Sequence, residues 1–256
     1  MAGKIAYDLA YYQSEALDPE LRSPAVVVPL VVSLLHPKSV VDVGCGVGHW
    51  LSVFKAHGVE RVLGLDGKHI EPKWLVIPTD TFRSIDLARP FRLKENFDLA
   101  VCLEVAEHLP NTSAAGFVES LVRLAPAILF SAAIPMQGGT QHVNEQWPDY
   151  WRNLFQGFGY RRLDLIRKSI WKNPDVKFWY RQNIFLFVSE DLLAKNLLFQ
   201  EAAREADDLL LVHGSTLREL LGLRSAARNL SIGTWRLLKR KTRALFGNRS
   251  GTLRDL

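Results

Sequence analysis

The stretch Val40–Trp50, VVDVGCGVGHW, places three glycines, Gly44, Gly46 and Gly48, directly after an apolar β-branched run and ahead of the helix-like HWLSVFKAHG. Glycine loses more conformational freedom on folding than any other residue. A cluster of glycines therefore marks backbone that must turn tightly or let a ligand come close. An ordinary strand-to-helix turn needs one glycine; three favour a loop that passes under a ligand at the carboxyl end of a strand.

Outward from this loop, apolar runs recur at SVVDV, RVLGLD, FDLAVCL, AILFSAA and NIFLFV, with helix-like segments between several of them. That alternation predicts an α/β fold with a doubly wound, mostly parallel sheet, whose ligands lie outside the carboxyl ends of the strands. After Val188 the apolar residues shift to three- and four-residue spacing and strands disappear. The expected division is N-terminal cap helices over 1–38, a ligand-binding domain over 39–189 and a helical, basic C-terminal extension over 190–256.

With 256 residues, 48% of them hydrophobic, the chain can bury a sizeable core. The run Pro24–Pro37, PAVVVPLVVSLLHP, is too short to span a bilayer and is interrupted by proline. The first residues lack the charged-then-apolar pattern of a signal peptide, which gives a cytoplasmic expectation. Cys45 and Cys102 fall in or beside apolar runs, as buried thiols rather than a disulfide framework. The net charge of +5 is mild, and much of the clustered base lies near the C-terminus. There TWRLLKRKTRALF sets Lys239, Arg240, Lys241 and Arg243 on an amphipathic pattern, a solvated helix or a peripheral contact with the inner face of an anionic membrane.

The glycine spacing is G-x-G-x-G rather than the G-x-G-x-x-G of dinucleotide folds, and VDVGCGVG resembles the first motif of class I S-adenosylmethionine (SAM) methyltransferases. Further motifs follow in that family's order between Val40 and Val188: VLGLDG, RSIDLARPF and FDLAVCLEVAEHL. The resemblance implies a seven-stranded Rossmann-like fold that binds SAM. Its loop would be Asp42, Gly44, Cys45, Gly46 and Gly48, with Asp66 accepting from the ribose hydroxyls. Asp86 and Leu87 would face the adenine, and Leu103 and Glu104 would end the fourth strand beside the cofactor.

EVAEH puts Glu104, Glu107 and His108 at offsets zero, three and four, which share a face on one helical turn. QGGTQHVNEQW, after the fifth strand, adds His142, Asn144 and Glu145 on a loop with the Gly138–Gly139 pair. Acids and imidazoles converging at the ligand edge have the makings of a divalent-metal site. The arrangement is similar to that of small-RNA 2′-O-methyltransferases and of metal-dependent O-methyltransferases of quinone biosynthesis. That similarity implies Glu104, Glu107, His108 and His142 as ligands. The same run is also common in relatives that bind no metal, and on that reading Glu104 faces the cofactor, Glu107 is a helix-start acid, and His142 or else His108 is the general base.

The segment Tyr160–Asn183 interrupts the strand alternation and mixes Trp171, Phe178, Trp179 and Tyr180 with Arg and Lys. Aromatic faces beside cations suit a saccharide, glycolipid or glycosylated small-molecule acceptor, and the expected reaction is O-methylation. The absence of a basic stripe or a recognised RNA-binding module argues against nucleic acid. Tyr7, Tyr11 and Tyr12 are candidates to cap the cleft. The alternatives are a non-catalytic SAM-binding or scaffolding subunit and an RNA 2′-O-methyltransferase.

Overall fold

The computed structural model describes residues 19–205 and 212–214. The N-terminal tyrosines and the basic segment around Trp235 lie outside the described residues. Two compact units divide the chain at His213, and the first, residues 1–213, holds the sheet.

Seven strands form one sheet: β1 (Ser39–Val43), β2 (Arg61–Asp66), β3 (Phe82–Ser84), β4 (Leu99–Leu103), β5 (Ala127–Ser131), β6 (Tyr160–Leu163) and β7 (Phe185–Ser189). Their order is β3-β2-β1-β4-β5-β7-β6. β7 runs antiparallel to β5 and β6, and the other pairings are parallel. The direction of winding reverses between β1 and β4, which sets the crevice where ligands bind in such sheets. β1, β4 and β5 are buried along their whole length, as expected of strands covered on both faces. The Tyr160–Asn183 segment, expected to interrupt the strands, instead supplies β6, whose YRRL lacks the apolar run that marked the others.

Helices cover both faces. α1 (Pro19–Leu35) runs through Pro24 and Pro29 and buries Val27, Val28 and Val31 against α2 (His49–Ala56), β1 and β4. The run read as too short for a membrane is thus a core helix, and no helix among the described residues is long and apolar enough to cross a bilayer. α3 (Ala114–Val122) and α4 (Pro148–Gly157) pack Phe117, Leu121, Trp151 and Phe155 on the opposite face. Beyond β6 come α5 (Ile166–Ile170) and α6 (Phe178–Asn183), and beyond β7 come α7 (Glu190–Ala194) and α8 (Leu197–Glu205). Phe199, Ala202 and Ala203 of α8 join the same apolar cluster as Val27 and Phe54. The described helices on either side of 39–189 therefore share its core.

Candidate active site

A cleft of about 1020 Å³ opens at the carboxyl ends of β1, β2, β3 and β4, closed on one side by the loop after β5 and by α6. The glycine loop forms its floor. Gly44, Gly46 and Gly48 have φ of 84°, 54° and 96°, values that side chains rarely adopt. A Cβ on Gly44 would overlap Val105, and one on Gly48 would come within 2.8 Å of Ile77. The turn therefore needs glycine for conformation and for packing alike.

Asp66 anchors the loop from β2. Its carboxylate accepts from the Gly46 amide at 2.7 Å and from the Gly67 amide at 2.6 Å. Burial raises its pKa, and the two amides and His69 pull the other way. Gly44, Cys45, Gly46, Asp66, Asp86, Leu87, Leu103 and Glu104 all line the cleft. Asp42 and Gly48 are set back from the lining. Asp42 is buried within β1, where burial, and then the charge of Asp66, push its carboxyl well above the usual range. Asp86 uses its oxygens on its own turn, accepting from the Ala88 amide at 3.0 Å and pairing with Arg89 at 3.3 Å.

The helical face expected to join Glu104 to Glu107 and His108 does not form. β4 ends at Leu103, Glu104 takes a left-handed φ of 55°, and the short 3-10 turn begins only at Ala106. Glu104 is thereby turned toward α6 and the β5 loop, where it accepts from Asn183 Nδ2 at 3.1 Å and Gln137 Nε2 at 3.1 Å. Asn183 also donates to Gln137 Oε1 at 2.9 Å, so three segments of the chain meet at one carboxylate.

Glu107, His108 and His142 do converge. One ligand atom from each lies within 4.8 Å of the others, and the two imidazoles meet edge to face with ring centroids 4.8 Å apart. Glu107 is 0% exposed, and neither of its oxygens meets a well-formed hydrogen-bond donor. Burial, and then the charge of Glu104, push its carboxyl well above the usual range. Burial and the neighbouring His142 lower His108 to about 4, which keeps that imidazole neutral at physiological pH.

Across from this trio, Glu145 accepts from the Gly138 amide and the Met136 amide, each at 2.8 Å, and meets His142 Nδ1 at 2.9 Å. Gln137 and Asn183 carried no motif in the sequence, and Glu145 stood there only as a loop acid near His142, because each acts through a contact made only once loop and strand have folded together. Among the aromatics, Trp179 and Tyr180 line the cleft with Trp50, while Trp171 packs elsewhere against His213.

Residues 25–130 match a family described as a methyltransferase domain. Those residues therefore form a methyltransferase domain, on the class I fold whose methyl donor is SAM. The chain shares its fold with a sugar N-methyltransferase of Streptoalloteichus at 15% identity, covering 74% of this chain and 96% of that one, with a TM-score of 0.55. DesVI of Streptomyces venezuelae is similar at 14% identity, with 72% and 100% covered and a TM-score of 0.51. The methyltransferase domain of a bacterial Hen1 gives 19% identity, 67% and 99% covered, and a TM-score of 0.49. No curated protein matches this chain in sequence.

The cleft fits SAM on its own chemistry. Carboxylates stand at two of its walls, Asp66 and Glu104, and such groups accept from hydroxyl and ammonium donors of the kind SAM carries. The volume is at the upper end of the roughly 300–1,000 Å³ usual for ligand pockets, which leaves room for an acceptor.

Proposed function

We propose that the enzyme methylates a hydroxyl oxygen of a saccharide, glycolipid or glycosylated small molecule, with a divalent cation held by Glu107, His108 and His142. The observation that carries this reading is Glu107: a fully buried carboxyl beside a second one, without a well-formed hydrogen bond, grouped with two imidazoles. Ionising such a buried carboxyl is costly, and a cation relieves that cost. One oxygen and two nitrogen donors suit manganese, cobalt, iron or zinc better than magnesium, which favours all-oxygen shells. Bound there, the cation would lower the pKa of an acceptor hydroxyl.

SAM supplies the methyl group from its sulfonium when bound. An oxygen lone pair forms the new O–C bond as the C–S bond breaks and its electron pair stays on sulfur as a neutral thioether, while the hydroxyl proton passes to solvent water. The chain's part is placement: Asp66 toward the ribose, Glu104 toward the amino group, and the trio at the acceptor side. Trp50, Trp179 and Tyr180 offer aromatic faces to the apolar face of a sugar ring, with Trp50 and Tyr180 packed edge to face at 5.2 Å.

A second, metal-free reading rests on the His142–Glu145 hydrogen bond, which leaves Nε2 of His142 able to take the hydroxyl proton. Chelation followed by metal add-back separates the two. Loss and return of methyl transfer from isotope-labelled SAM to a panel of saccharide and glycoside acceptors supports the metal. Transfer that persists in chelator leaves the base.

A further inference from the structure

We infer that Glu145 is a positioning residue that fixes the tautomer of His142 and presents its Nε2 lone pair to the Glu107–His108 side of the cleft. A carboxylate only accepts hydrogen bonds, so Glu145 Oε1 at 2.9 Å from His142 Nδ1 makes that nitrogen the donor. The proton then sits on Nδ1, and Nε2 is left with its lone pair. Fixing a histidine through its second nitrogen is how outer carboxylates tune metal-ligating imidazoles.

The same carboxylate builds the loop. Oε1 also accepts from the Gly138 amide and Oε2 from the Met136 amide. These bonds span a segment in which Met136, Gly138 and Gln141 have φ of 72°, 71° and 60°. Left-handed backbone at non-glycine residues persists only where its surroundings hold it. Glu145 is the group that holds one end of this segment while it aims the imidazole. Gly139 completes the arrangement, since a Cβ there would overlap Nε2 itself.

The inference draws on the proposed cation site for one arm of its test and stands apart from it in the other. In the first arm, Co²⁺ is titrated calorimetrically into wild type, Glu145→Gln, His142→Ala and the double variant, each checked by thermal melt. Glu145→Gln is expected to weaken Co²⁺ binding about 10–100-fold, the usual effect of losing such an outer partner. The same change in the His142→Ala background is expected to do nothing more, because Glu145 acts through that imidazole. An unchanged affinity, or an equal loss in both backgrounds, overturns the inference. In the second arm, ¹⁵N spectra of histidine-labelled, metal-free protein read the tautomer. Wild type is expected to carry the proton on Nδ1 of His142, and a proton on Nε2 overturns the inference. If wild type takes up no Co²⁺, the cation site falls, and the tautomer alone decides the role of Glu145.

Discussion

The Gly139 α-carbon approaches the His142 ring so closely that a single added methyl group would occupy the position of Nε2. Gly139→Ala must therefore displace either the loop or the imidazole. Gly139 is exposed and lies in a loop, so the cost falls on the site and not on the core. Turnover is expected to drop at least about tenfold while the melting temperature changes by only a few degrees, since a 1 Å misplacement at a reacting centre can cost about 100-fold. Steady-state kinetics with a parallel melt checks this, and wild-type turnover in the variant would remove His142 from the chemistry.

The fold was legible because its signals are local: β-branched runs ended by Gly44 or Asp66, and helical spacing between them. The site was legible only in part. Offsets of zero, three and four placed Glu104 on a helical turn with Glu107, but the strand does not pass directly into a helix there. The left-handed Glu104 swings its carboxylate to Asn183 and Gln137 instead. Contacts that join residues 79 positions apart, as Asn183 and Glu104 do, leave no periodicity to read. β6 escaped notice for a related reason: it is an edge strand, and Arg162 within it is buried over the Phe185 ring, 5.0 Å from its centroid.

Asp66 links the glycine loop to the cofactor wall, so Asp66→Ala removes a ligand contact and a loop anchor together. SAM affinity is expected to fall about 10–100-fold, in line with roughly 1–3 kcal/mol for charge-assisted hydrogen bonds. Titration calorimetry measures it, and unchanged affinity would sink the assignment.

Gly44→Ala tests whether the loop tolerates any side chain. The left-handed φ and the overlap with Val105 act in the same direction. The expected loss is about 2–4 kcal/mol, seen as a melting temperature lower by roughly 5–15 °C. Val105→Ala in the same chain should restore part of that loss by clearing the overlap, though not the part due to backbone strain.

Asp42 gives a pH test. Its pKa in the folded protein stands well above 3.8, so the folded state binds more protons than the unfolded state between that value and its own pKa. Stability from this group is present at low pH and is lost as pH rises through that window. Asp42→Asn removes the dependence. Its melting temperature should match wild type near pH 4 and exceed it increasingly as pH rises toward the folded-state pKa of Asp42. SAM affinity should stay within about twofold, because Asp42 does not line the cleft; a large loss of affinity would return Asp42 to the cofactor site.

Glu107→Gln separates the cost of a buried charge from its use. In chelator-treated protein, the neutral amide is nearly isosteric with the carboxyl and removes the cost of ionising it in the core. The variant should melt at or above the wild-type temperature. Adding Mn²⁺ or Co²⁺ should then stabilise wild type, by about 2.7 kcal/mol at a hundred times the dissociation constant, and leave the variant unmoved. Methyl transfer should be lost in the variant and in chelated wild type alike, and restored by metal only in wild type. If chelated wild type keeps its turnover and Glu107→Gln keeps it too, the trio is not a cation site. Proton transfer to His142 Nε2 then carries the reaction, and a rising limb of the pH–rate profile that His142→Ala abolishes should report it.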